Sequence, residues 1–272
     1  MADQNEVLRR IKDEGVKFVD LRFSDPRGKM QHVTMDVAAF DEDSFTDGIM
    51  FDGSSIAGWK DISQSDMQLL PDAGSAYIDP FFAQSTMVMF CDIFEPTTGE
   101  RYERDARGTA RKAEAYLQQT GIGDKAFFGP EPEFFIFDDV RFSSDPYNCG
   151  FKLDSMELPT NTDTDYEMGN LAHRPRTKGG YFPVPPVDSA QDIRSEMLSV
   201  LADMGVDVEK HHHEVGAAQH ELGIKFSTLV DIADRIQKYK YAVHNVAQAY
   251  GKTATFMPKP VFGDNGTGMH VH

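Results

Sequence analysis

The chain has 272 residues, 40% of them hydrophobic and including 20 Phe and 13 Met, enough for one or two domains with a sizeable core. Its formal net charge of −17 argues against a general nucleic-acid binder, which needs basic surface. The sequence has no run of about 18 apolar residues for a membrane span. Residues 1–6 lack a signal peptide's basic and apolar regions, and Cys91 and Cys149 lie far apart outside any C-x-x-C pattern, so a cytoplasmic protein with reduced thiols is expected.

Residues 3–14 read as a helix with Val7, Leu8 and Ile11 on one face and Gly15 as its stop. Strands are expected at 16–23 and 30–36, around the turn Asp25-Pro26-Arg27-Gly28, and again at 75–78 and 86–94. Asp105 stands as an N-cap, with Ala106, Ala110, Ala113 and Leu117 at helical spacing and Gly121 as terminator. The spacing predicts a small α+β domain over 1–103 and a second domain over 104–272. In the second, the predicted elements are a strand at 127–137, a polar loop at 143–180, a helix at 189–204 and strands at 206–214 and 220–226. A long amphipathic helix over 227–250 follows, with Ile232, Ile236, Tyr239, Val243 and Val246 on one face, and then a closing strand near 269–272. Regular βαβ alternation is lacking, so no Rossmann sheet is expected.

Chemistry concentrates in a few segments. Glu131 and Glu133 are two residues apart in a predicted strand and therefore share a face, among Phe127, Phe128, Phe134, Phe135, Ile136 and Phe137. Two carboxylates in apolar surroundings repel unless a cation lies between them, and oxygen-rich ligation favours Mg²⁺ or Mn²⁺. Glu214 and Glu221 flank the small residues Gly216-Ala217-Ala218, so a hairpin would bring both to one cavity. In the run His211-His212-His213 the zinc-hydrolase spacing of two His at i, i+4 is absent, and each His taken alone reads as a hydrogen-bonded strand residue. His270 and His272 share a strand face after the segment Gly263-Asp264-Asn265-Gly266-Thr267-Gly268. Asp52-Gly53-Ser54-Ser55-Ile56-Ala57-Gly58-Trp59 reads in isolation as a surface turn, and 178–188 as a Pro-rich connector. No P-loop or complete G-x-G-x-x-G occurs, so a nucleotide site would have to be built from metal ions and strand residues.

Together and in this order, the segments 52–59, 129–137, 178–188, 211–226 and 259–272 resemble the bacterial type of glutamine synthetase. The resemblance implies a β-grasp-like N-terminal domain and a catalytic domain with an antiparallel sheet flanked by helices. It also implies ATP-dependent joining of ammonia to the γ-carboxylate of L-glutamate through an acyl phosphate. By motif, Glu133, Glu214 and Glu221 match the ligands of one divalent ion, and Glu131 and His270 match ligands of a second. Glu209, Phe226 and His272 match ATP-site residues, and Asn265 and Gly266 match the backbone that holds glutamate. Asp52, with Ser55 in the same loop, matches the residue that binds ammonium and takes its proton, reaching a neighbouring subunit's site in a homo-oligomeric ring, a dodecamer by resemblance. Residues 150–174 match the family poorly. Its pattern continues past the position of His272 with arginines that grip phosphate, a last metal-binding glutamate and a flap glutamate, so the 272-residue polypeptide alone is expected to be inactive or nearly so. Two alternatives stay open: a ligase joining glutamate to a polyamine, and a non-catalytic form that docks on full-length synthetase.

Overall fold

The computed structural model describes residues 3–161, 165–167 and 170–272, which divide into two compact units: Met1–Phe127 with Thr228–Gln237, and Phe128–Ser227 with Lys238–His272. In the first, α1 (Gln4–Asp13) starts where the Asp3 carboxylate accepts the Glu6 N–H at 2.8 Å and buries Val7 and Ile11. β1 (Phe18–Ser24) and β2 (Met30–Asp36) form the expected hairpin. The short helix α2 (Asp43–Thr46), β3 (Ile49–Asp52), β4 (Asp66–Pro71), β5 (Tyr77–Ile78), β6 (Thr86–Glu95) and β7 (Glu100–Arg101) follow. The sheet order is β2-β1-β6-β4-β3, with β5 and β7 also on β6; β1 and β6 run parallel, and the other pairs are antiparallel. β6 is buried from Thr86 to Ile93, and its Met87, Met89, Cys91 and Ile93 pack with Val19, Leu21, Met67 and Leu69. The sequence reading lacks β3 and β4, because a four-residue edge strand and a strand ending on Pro71 carry little alternation.

The Asp105 carboxylate caps α3 (Ala106–Thr120) by accepting the N–H groups of Arg107 and Gly108, and Gly121 ends it at φ 69°. Arg107 is the electrostatic hub of this unit. Its guanidinium reaches Asp92 at 2.5 Å, Asp72 at 2.6 Å and Asp234 at 2.9 Å. Burial alone would raise the pKa of Asp72 and Asp92, but the hydrogen bonds and charges of the neighbouring arginines, Arg107 foremost, hold both below the ordinary aspartate range.

The second unit holds β8 (Phe127–Phe128) from its second residue, β9 (Pro130–Phe137), β10 (Asp139–Asp145), β11 (Asn148–Asp154), α4 (Gln191–Asp203), β12 (Val208–His213), β13 (Gln219–Ile224) and the start of β14 (Ser227–Thr228). α5 (Leu229–Ala249) contributes its residues from Lys238 onward, burying Tyr239, Val243 and Val246, and is followed by β15 (Thr253–Thr255) and β16 (Met269–Val271). The sheet runs β12-β13-β9-β15, with β16 also on β9, antiparallel throughout. One correction falls here: part of the expected polar loop is the hairpin β10–β11, in register from Asp139↔Asp154 to Asp145↔Asn148. Phe142 and Phe151 on it are 80% and 68% exposed, so there was no burial pattern to read.

Arg107→Leu removes the cation shared by Asp72, Asp92 and Asp234, leaving Arg111 on the first two, and it should destabilise the protein by about 3–5 kcal/mol in urea denaturation. Because the pKa values of Asp72 and Asp92 are depressed on folding, their contribution is full above about pH 4 and lost as pH falls through the folded values. Wild type should therefore lose stability more steeply with acid than Arg107→Leu does.

Candidate metal centre and substrate loops

Strand register builds the site. Glu133 on β9 pairs with Glu221 on β13, and Glu221 pairs with His212 on β12. Residues paired across antiparallel strands point to the same face, so these three form a row across the sheet. Glu214 lies two residues beyond His212 and adds a second carboxylate beside it. Ligand atoms of His212, Glu214 and Glu221 all lie within 4.8 Å of one another. The neighbouring rung carries Phe134, His220 and His213 on the opposite face. Pro132 has no N–H for the ladder beside Glu133. The Tyr239 hydroxyl fills that rung, accepting the Leu222 N–H at 3.0 Å and donating to the Pro132 carbonyl at 2.7 Å.

The electrostatics call for positive charge. Glu133, Glu214 and Glu221 are at most 8% exposed. Burial, and then the charges of Glu133 and Glu221, raise the pKa of Glu214. Burial alone would lower the pKa of His212, but the neighbouring carboxylates, Glu221 first and then Glu214, raise it. His212 Nδ1 is buried without a hydrogen bond, 3.4 Å from Glu214 Oε1, and Nε2 is 3.7 Å from Glu221 Oε1. A buried imidazole nitrogen without a hydrogen bond, set among buried carboxylates, is a donor set that could hold a divalent cation. The donor set, carboxylate oxygens with one imidazole, fits Mg²⁺ or Mn²⁺ and favours Mn²⁺ as a probe.

The other candidates fall around this row. Glu131 pairs with His270 across β9 and β16, and His272 Nε2 lies 3.4 Å from Glu131 Oε2. Phe226 and His272 both border Gly129, whose backbone exchanges hydrogen bonds with His272. Asn265 and Gly266 adjoin Glu133: Gln219 donates to both Glu133 and the Gly266 carbonyl, and the Gly268 N–H donates to Glu133 at 2.8 Å. The 178–188 segment reaches the Glu214–Glu221 hairpin at Gly180, where a side chain would meet the Glu214 carbonyl at 2.6 Å. Glu209 is exposed at an irregularity in β12. Asp52 and Ser55 belong to the first unit. There Asp52 is exposed and accepts from Ser54 N–H, Ser54 Oγ and Ser55 Oγ, bonds that lower its pKa, the Ser54 hydroxyl most of all. The loop is anchored by Trp59, buried with Phe23, Phe51 and Tyr102. Sequence reasoning missed His212 as a candidate ligand; its signal was the parity it shares with Glu214.

The family model for the catalytic domain of glutamine synthetase matches residues 103–272, and that for the glutamine synthetase β-grasp domain matches 15–96. The chain belongs to the glutamine synthetase family. Glutamine synthetase of Rhizobium meliloti (strain 1021) is 72% identical over the whole chain, and that of Bradyrhizobium diazoefficiens 69%. The chain spans 58% of the length of each of these relatives. Among solved structures, a cryo-EM structure of Plasmodium falciparum glutamine synthetase superposes over all of this chain and 53% of its own, with a TM-score of 0.92 at 29% identity. The first unit's sheet is thus a glutamine synthetase β-grasp, and the antiparallel sheet with its helices carries the family's catalytic-domain fold.

Mn²⁺ should raise the melting temperature of the protein by preferential binding to the folded state. In calorimetric titration, Glu221→Gln and His212→Ala should each weaken Mn²⁺ binding by at least the ~10–100-fold typical of losing a ligand's supporting hydrogen bond.

Proposed function

We propose that the protein is an ATP-dependent ligase that joins ammonia to the γ-carboxylate of L-glutamate, and that this stretch supplies most of its divalent-metal ligands. The observation that carries the reading is the row Glu133–Glu221–His212 with Glu214 beside it, in a chain whose relatives are named glutamine synthetase. Glu133, Glu214 and Glu221 hold one Mg²⁺ or Mn²⁺ and Glu131 with His270 a second. Glu209, Phe226 and His272 bind ATP, and Asn265 and Gly266 bind glutamate through their backbone. Bound ions supply positive charge opposite the oxygens of a transferring phosphoryl group. Around them the protein's task is to hold the two carboxylate clusters at the end of one sheet and to seat glutamate beside Glu133, where the Asn265 loop is already tied.

Asp52 and Ser55 take the ammonium side. An exposed carboxylate with a depressed pKa stays charged at neutral pH, attracts ammonium, and is a weak base, so proton removal accompanies attack rather than preceding it. The boundary near residue 103 divides an N-terminal domain from the catalytic one. We place the enzyme in the cytoplasm as a homo-oligomeric ring with Asp52 serving a neighbouring subunit. Two free cysteines support the location, and no helix among the described residues is long and apolar enough to cross a membrane.

The test is glutamine formation by the protein at its genomic length with ATP, glutamate and ammonium. Asp52→Asn should lower kcat by about 10²–10⁴-fold while leaving Mn²⁺ affinity unchanged. Unchanged kcat would remove Asp52 from the chemistry, and no glutamine from the unaltered protein would overturn the assignment.

A further inference from the structure

The turn Gly216-Ala217-Ala218 joins the strands that carry Glu214 and Glu221, and side chains from three parts of the chain capture its backbone. The Gly216 N–H donates to Gln219 Oε1 at 2.8 Å, the Ala217 N–H to Asp264 Oδ2 at 3.1 Å, and the Ala218 N–H to Glu157 Oε2 at 2.7 Å. Gln219, Asp264 and Glu157 are 1%, 4% and 1% exposed. Three consecutive N–H groups in a buried turn need acceptors, but backbone carbonyls would satisfy them at lower cost than two buried carboxylates.

Each capturing residue also reaches a different part of the site. Asp264 Oδ1 accepts the N–H groups of Lys178 at 3.0 Å and Asn265 at 2.9 Å, tying the 178–188 segment and the glutamate loop to the turn. The Gln219 amide donates to Glu133 and to the Gly266 carbonyl. Glu157 accepts from Ser189 N–H and Oγ and from His213 Nε2 at 2.7 Å, while His213 Nδ1 bonds the Glu214 carbonyl at 2.6 Å.

We propose that Asp264, with Gln219 and Glu157, is a positioning group: a clamp on the turn that fixes Glu214 and Glu221 for the divalent ion and couples that ion's seat to the glutamate loop. This rests on the metal-centre reading above. None of the three touches the reacting atoms; Asp264 and Glu157 act on the turn through its backbone N–H groups, and Gln219 acts both on that backbone and on the Glu133 carboxylate. Holding both loops from one carboxylate predicts that metal and glutamate sites weaken together, an effect loss of a metal ligand alone does not produce.

The experiment measures Mn²⁺ affinity by EPR and calorimetry, and L-glutamate affinity separately, on the purified protein and four variants. Asp264→Ala should lower Mn²⁺ affinity about 10–100-fold and broaden the bound-Mn²⁺ spectrum. It should also weaken glutamate binding severalfold. Lys238→Met removes a buried ammonium bonded to the Met204 carbonyl, away from the turn, and serves as the stability control. It should lower the melting temperature and leave Mn²⁺ affinity intact. Glu221→Gln should abolish tight Mn²⁺ binding. If Asp264→Ala does not fold, Asp264→Asn, which keeps the bulk but replaces one of the two acceptor oxygens, reads the same clamp, with the same two losses expected. Mn²⁺ binding lost in Glu221→Gln but within twofold of wild type in the folded clamp variant overturns the clamp alone. So does an equal loss in Lys238→Met. Absence of wild-type Mn²⁺ binding overturns the metal reading and the clamp with it.

Discussion

Carboxylates held on one side of an antiparallel sheet repel one another more strongly as water is removed from around them. The second unit of this chain is organised around that repulsion. Glu133 and Glu221 face each other across adjacent strands, and Glu214 closes on them from the end of a third. No apolar packing argument favours such a row, since Phe or Val at the same positions would bury without penalty. The row persists because neighbouring groups answer it with positive charge or hydrogen-bond donors: His212 between two carboxylates, the Gln219 amide and the Gly268 N–H on Glu133, and the Val215 N–H on Glu214. These donors hold the side chains in place but do not neutralise them.

The first unit solves a related problem without leaving charge to spare. Asp72, Asp92 and Asp234 converge on one guanidinium, that of Arg107, and Arg111 adds a second to Asp72 and Asp92. The guanidinium fork satisfies several oxygens at once, so this cluster is complete as it stands. Comparing the two clusters separates an ion-pair network neutralised within the fold from an acidic row that keeps its negative charge. The difference lies in the cations present, not in the number of acids.

Much of this was legible from local pattern. The Asp105 cap, the Gly15 and Gly121 stops and the strand parity of Glu131 and Glu133 each depend on a few neighbouring residues, and the structure carries all of them. The hairpin Glu214–Glu221 was readable from the small residues between. His212 shares strand parity with Glu214, but its place beside Glu221 and Glu133 depends on the register of three strands, which no single segment encodes. Asp264 and Glu157 were hidden for a stronger reason: they act on a turn 47 and 61 residues away, through backbone N–H groups that leave no mark on the side-chain sequence. The hairpin β10–β11 escaped because both its faces meet solvent, and an exposed strand has no apolar period to show.

The placement of the acidic row by strand parity has a consequence for how the gene can vary. Removing one residue from β9 or β13 would turn each strand over, bringing Phe134 and His220 to the ligand face and sending Glu133 and Glu221 into the packed layer beneath. No point substitution repairs such an inversion. Length in these two strands is therefore fixed more tightly than composition, whereas the solvated hairpin between residues 139 and 154 can lengthen or shorten by pairs without disturbing any ligand. Among natural variants, insertions and deletions should thin out sharply over 130–137 and 219–224 even where the apolar residues between the acids are freely exchanged.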